Sequence, residues 1–209
     1  MITRNRLAVI LGTFVVLPLV TNAEDKPEAK KEITCPVSGK AIKTPGETTM
    51  PVLGRQVDLC CPGCNDKVTA DLAKYMPAIK QQLHAKGQLK QISCPLSGKP
   101  INTEVVAKAE GVEFNTCCKG CQGKVAKESE VAEKALKALP DTLAWFDMCP
   151  GSGKDINAEV KPISFEVAKD VKQDIYFCCP GCVAPFEKDP AAGVAKLVKK
   201  QEAAAKAKG

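Results

Sequence analysis

The chain has 209 residues, with 30 basic and 24 acidic side chains, twelve cysteines, one histidine, and only one Trp, two Tyr and six Phe. Its weak positive balance is spread along amphipathic stretches and reads as a solvated surface, and so few aromatics give no base-stacking platform, so no nucleic-acid partner is expected. One histidine leaves no plausible Ser/His/acid set and no phosphate-cradling glycine loop occurs, so no enzymatic activity is expected.

Arg4 and Arg6 precede a mostly apolar run of 14 residues, 7–20, and Thr21, Asn22 and Ala23 offer a small-residue cleavage site. This start reads as a secretory signal peptide over 1–23, because spanning a bilayer takes about 20 apolar residues. The expected product is exported, periplasmic or secreted, with no membrane attachment after cleavage. Loss of the two arginines leaves 28 basic against 24 acidic side chains, a balance of +4. Residues 24–32, EDKPEAKKE, read as a flexible, charged N-terminus.

From residue 33 onward one chemical device is used three times. Each repeat opens on a Cys-Pro-x-Ser-Gly-Lys motif, at Cys35, Cys94 and Cys149, and continues to a cluster of three cysteines: Cys60, Cys61 and Cys64; Cys117, Cys118 and Cys121; Cys178, Cys179 and Cys182. All twelve cysteines lie in these six motifs. The opening cysteines are 59 and 55 positions apart and the clusters 57 and 61, so the period is nearly constant and the variation falls in the middle loops. Such a pattern indicates three similar α+β modules, 33–91, 92–145 and 146–200, joined by helices. Units this small commonly need a metal or disulfide staple.

In the first module 41–51 reads as a loop, 52–59 as a strand, and the residues from 65 onward as a helix with Val68, Leu72, Met76, Ile79 and Leu83 on one face. Pro77 is expected to kink or split this helix and Gly87 to end it. The second module offers a strand at 112–116 and a helix at 123–139 with Val125, Val131, Ala135 and Leu139 buried, stopped by Pro140. The third offers a strand at 174–177, with Ile175 and Phe177 on one face, and a helix capped by Asp189 with Pro190 at its first position. Residues 201–209 read as a fraying, disordered tail.

Thiolates three apart with a glycine in the turn can clamp one metal ion, and Cys61/Cys64, Cys118/Cys121 and Cys179/Cys182 have that spacing. Cys60/Cys64, Cys117/Cys121 and Cys178/Cys182, four apart, are the alternative pairs, and the spacing does not choose between them. The upstream motif looks like half a zinc knuckle in which Ser38, Ser97 or Ser152 replaces the second cysteine. A neutral hydroxyl is a poor ligand for a soft metal, which leaves Cys35, Cys94 or Cys149 as the upstream ligand. Each module then offers three thiolates, suiting Cu(I) or a zinc ion with an exchangeable fourth ligand, or four, suiting closed structural zinc. His84 reads as a surface residue rather than a ligand. Two other readings compete: a disulfide framework, ordinary for an exported chain with an even cysteine count, and thiol redox chemistry of the Cys-x-x-Cys kind.

Tyr176, Phe177, Cys178, Cys179, Pro180, Gly181 and Cys182, followed by Phe186, Glu187, Lys188, Asp189 and Pro190, together with the motif at Cys149, resemble the YHS/TRASH class of heavy-metal-binding cysteine modules. The resemblance covers most of the mature chain but is fullest in the third repeat, since Asp58 and Leu59, and Asn115 and Thr116, stand at the aromatic positions of the other two. It implies a treble-clef-like, zinc-finger-like fold, with a short hairpin, a strand and a helix around a metal. It also implies the ligand sets Cys35, Cys60 and Cys64; Cys94, Cys117 and Cys121; and Cys149, Cys178 and Cys182. The expected protein is therefore an exported, non-enzymatic binder of up to three soft or transition metal ions, zinc or Cu(I) foremost, serving buffering, sequestration or resistance. The alternatives are a stapled scaffold that binds a protein partner through its helices and a thiol-disulfide oxidoreductase.

Overall fold

Strands β1 (Thr49–Val52) and β2 (Arg55–Asp58) form an antiparallel hairpin whose two turn residues, Leu53 and Gly54, both have positive φ, 45° and 82°. That geometry follows the right-handed twist of the strands. The computed structural model describes residues 33–206, so the expected signal peptide and charged N-terminus lie outside the described residues. The single strand expected at 52–59 is thus two strands folded about a Leu-Gly turn, and part of the expected loop is β1. Leucine in the left-handed region gives no turn signal in sequence, which is why the hairpin was hidden.

Helix α1 (Pro62–Ala70) follows, with Pro62 in its first turn, where the missing N–H costs nothing. It ends at Asp71, whose carboxylate accepts from Lys74 N at 3.1 Å and so starts helix α2 (Leu72–Ala85). The break therefore falls at Asp71, and Pro77 lies within α2 without ending it. Gly87, at φ 67°, closes the helix as expected.

The same order recurs twice. Strands β4 (Asn102–Ala109) and β5 (Val112–Thr116) pair about Glu110 and Gly111 and lead into α3 (Lys119–Lys127) and α4 (Ser129–Ala138). The continuous helix expected at 123–139 is broken at Glu128, and a 3-10 turn over Leu139–Thr142 takes in Pro140. In the third repeat β7 (Ile163–Ala168) pairs with β8 (Val171–Ile175), then a 3-10 turn and α5 (Val183–Lys188) precede α6 (Pro190–Lys206). Asp189 caps α6 as expected, accepting from Ala192 N at 3.0 Å. The expected fraying tail is helical as far as Lys206, and Gln201 within it is buried.

The repeats share one main hydrophobic core, which runs from Cys35 through Val57, Ile79, Phe114, Leu139, Phe146 and Phe177 to Leu197, beside a smaller cluster of Ile92, Ala144, Ile156 and Tyr176. Its hub is Trp145, fully buried, just after β6 (Leu143–Ala144), which pairs with β3 (Lys90–Gln91). The Trp145 indole donates to Leu53 O at 3.2 Å, and its carbonyl accepts from Arg55 Nη2 at 2.8 Å and Gln201 Nε2 at 2.8 Å. Trp145 thus ties the first hairpin to helix α6, which carries the third repeat past residue 200 to Gln201.

Buried amides complete the strands where a backbone partner is missing. Gln82 Oε1 accepts from Asp58 N at 2.9 Å while its Nε2 donates to Asp58 O at 2.7 Å, and Gln91 does the same for Asn115 at 2.7 and 2.9 Å. These contacts hold the chain leading into Cys60 and Cys117 without leaving buried backbone groups unpaired. Among the described residues no helix is long and apolar enough to cross a membrane.

Candidate metal centres

Each opening motif folds into the same tight loop. Cys35 N donates to Lys40 O at 2.8 Å and Gly39 N to Cys35 O at 2.9 Å; both corresponding bonds are 2.8 Å at Cys94 and at Cys149. The loop requires a left-handed residue, supplied by Gly39, Gly98 and Gly153 at φ 68°, 69° and 70°. It buries the cysteine almost completely, at 1%, 0% and 0% exposure for Cys35, Cys94 and Cys149.

The second strand of each hairpin delivers the vicinal cysteines to the mouth of that loop. In the first two repeats Cys61 and Cys118 are the cap residues of α1 and α3, and Cys64 and Cys121 lie in the first turn. The sulfurs therefore gather at a helix N-terminus, whose exposed N–H groups favour thiolate.

Three triads result: Cys35, Cys60 and Cys64; Cys94, Cys117 and Cys121; Cys149, Cys178 and Cys182, with the sulfurs of each within 4.8 Å of one another. Cys35 to Cys64 is 3.8 Å, Cys60 to Cys64 3.6 Å, Cys117 to Cys121 3.7 Å and Cys178 to Cys182 3.8 Å. A tetrahedron of sulfurs around zinc, with bonds of about 2.3 Å, has edges of about 3.8 Å. A disulfide needs about 2.05 Å, and all twelve cysteines are free thiols. The triads have the donor type, number and spacing to hold three metal ions.

Of each vicinal pair the first cysteine joins the triad. Cys61, Cys118 and Cys179 are exposed and stand outside the mutually close sets, although Cys61 Sγ is 3.5 Å from Cys64 Sγ and Cys179 Sγ 3.7 Å from Cys182 Sγ. His84 lies on α2 with Nε2 3.0 Å from Glu113 O, apart from all three triads.

The sulfurs within a triad differ in acidity. Burial pushes the Cys35 thiol up, but backbone groups of Cys60, Ser38 and Val37 and the Ser38 hydroxyl outweigh it and bring it down to about 6. Cys94 and Cys149 follow the same balance, to about 7 and about 6. Cys64 goes the other way, raised by burial and by its thiol contacts with Cys61, Cys60 and Cys35. Cys121 reaches about 12 through burial and then Cys117, and Cys182 about 12 through its contact with Cys149 first. The upstream thiol of each centre is thus made more acidic, while a neighbour in the same triad holds its proton more tightly. A thiophilic cation would displace that proton.

Contacts not foreseen in the sequence involve the serines at the second knuckle position. Ser38 Oγ is 3.3 Å from Cys60 Sγ, Ser97 Oγ 3.2 Å from Cys117 Sγ and Ser152 Oγ 3.1 Å from Cys178 Sγ. The recurrence of serine at one motif position was the available signal. The third centre also differs in carrying Gly151 where the others have Val37 and Leu96; a Cβ there would lie 3.2 Å from Cys182 Sγ. In comparisons with known proteins, no family description, no curated protein and no solved structure matches this chain.

Proposed function

We propose that this protein is an exported, non-enzymatic binder of soft or transition metal ions that buffers or sequesters up to three of them, zinc or Cu(I) foremost, through its cysteine triads. The observation that carries this reading is the threefold recurrence of one buried loop sulfur beside two cluster sulfurs at metal-ligand spacing. Chance packing of thiols would not repeat the same loop, the same helix N-terminus and the same pair of spacings. Each repeat has the order of a treble-clef-like, YHS/TRASH-type module: a knuckle-like loop, a hairpin, then a helix that starts at the cysteine cluster. That order supports the family resemblance and the ligand sets it implies.

Titrating the reduced, metal-free protein with Co(II), and following thiolate-to-metal absorption, tests the reading. Three equivalents are expected for the wild type and two for Cys182→Ser. Saturation without thiolate-to-metal absorption would overturn it. The shared core favours a second reading, in which metals only staple a scaffold whose helices bind a protein partner. Rapid metal exchange with a chelator favours buffering; inert metal in a folded protein favours the scaffold.

A further inference from the structure

Ser38, Ser97 and Ser152 occupy the place in the knuckle where a second cysteine would complete a four-sulfur site. All three are exposed, and all three hydroxyls lie within 3.3 Å of a triad sulfur. The same oxygen accepts the N–H of the following lysine, from Lys40 and Lys99 at 3.4 Å and from Lys154 at 3.2 Å. That bond leaves the hydroxyl proton free to point at sulfur.

We infer that these serines are specificity-determining positioning residues: each directs its hydroxyl at one triad sulfur and withholds a fourth one, so that the centres favour Cu(I) over Zn(II). The inference rests on the metal-binding reading and deepens it. A hydroxyl is too hard a donor to compete for a soft ion, so the serine acts on the ligand and not on the metal. Cys61, Cys118 and Cys179 are exposed and stand outside the sets whose sulfurs all lie within 4.8 Å of one another, each touching its triad at 3.5, 3.8 and 3.7 Å from Cys64, Cys117 and Cys182. Three converging thiolates satisfy a soft monovalent ion, whereas structural zinc sites take four ligands. Outer-shell hydrogen bonds of this kind commonly change metal affinity about 10- to 100-fold.

The test uses the reduced chain with all three serines changed together to Ala, Thr or Cys, each titrated with Cu(I) and with Zn(II) against chelators of known affinity under anaerobic conditions. The Ala variant should keep three Cu(I) equivalents but bind them about tenfold more weakly, and the Thr variant, which retains the hydroxyl, should recover most of that loss. The Cys variant should shift the Zn(II)-to-Cu(I) preference toward zinc by about 100-fold. Wild-type affinities and preference in both the Ala and the Cys variants would overturn the inference. Should the Cys variant not fold, the Ala and Thr pair decides, since unchanged Cu(I) affinity in Ala, or a loss that Thr does not recover, overturns it equally. A wild type that takes up neither metal would overturn the metal-binding reading itself.

Discussion

Replacing Trp145 by alanine tests whether the three repeats stand or fall as one body. The indole is fully buried and reaches Leu53 of the first repeat, while Gln201 of the third donates to the carbonyl of the same residue. A buried Trp→Ala change costs about 3–5 kcal/mol, and each kcal/mol lowers Tm by about 2–4 °C in a chain of this size. A fall of roughly 6–20 °C is therefore expected for the reduced, metal-free protein, followed by circular dichroism because the variant lacks the only tryptophan. The transition should remain single and shift as a whole. Trp145→Phe, which keeps most of the apolar surface but loses the N–H, should cost only about 1–2 kcal/mol. A biphasic melt, with part of the amplitude at its original temperature, would refute the shared hub and return the repeats to independent modules.

Gly193→Ala should destabilise by about 1–3 kcal/mol in urea unfolding, because its Cβ would lie 2.6 Å from the Phe186 ring, which is itself packed on Phe177. Asp71→Ala should cost about 1 kcal/mol by the same measurement through loss of the cap between α1 and α2, with no loss of metal stoichiometry. The metal-free protein should be most stable near pH 9, read from urea midpoints across pH. Cys35, Cys94 and Cys149 have folded pKa values depressed from the ordinary 9.0, so their contribution is present above that value and is lost as pH falls toward 7 and 6. Cys64, Cys121 and Cys182 are raised, so theirs is present below 9 and is lost as pH rises above it, toward 12 for Cys121 and Cys182. A midpoint that is flat between pH 6 and 9 would contradict this assignment.

The grouping of the sulfurs was legible in sequence because it depends on short-range spacing within two recurring motifs, whereas the helices that begin at the clusters, at Pro62 and Lys119, were expected only from 65 and 123. Short-range pattern also made β5 over 112–116 and the Asp189 cap legible. The first strand of each hairpin was missed. β1 is four residues long and includes Pro51, and β4 runs Val105, Val106 and Ala107 together without alternation, whereas β7, Ile-Ser-Phe-Glu-Val-Ala, alternates over 163–167 and did carry a strand signal. Helix breaks at Asp71 and Glu128 were missed for a related reason, since apolar spacing continues across both and only the capping geometry marks the interruption. The shared core was illegible because it depends on contacts between distant repeats. Trp145 gives no local sign that its carbonyl will take donors from Arg55 and Gln201. The choice within each vicinal pair needed the fold too: two adjacent cysteines are equivalent in spacing arguments, and only the strand-to-helix turn puts Cys60 with the triad and leaves Cys61 outside it.

The most direct test of the central claim is the mass of the protein purified from its native compartment without added metal, compared under native and denaturing conditions. The account predicts three metal ions lost on denaturation, a chain mass equal to that of the fully reduced protein, and metal identity read from the mass difference. A metal-free chain about 12 mass units light, two for each of six disulfides, would contradict it and make the triads a covalent staple instead.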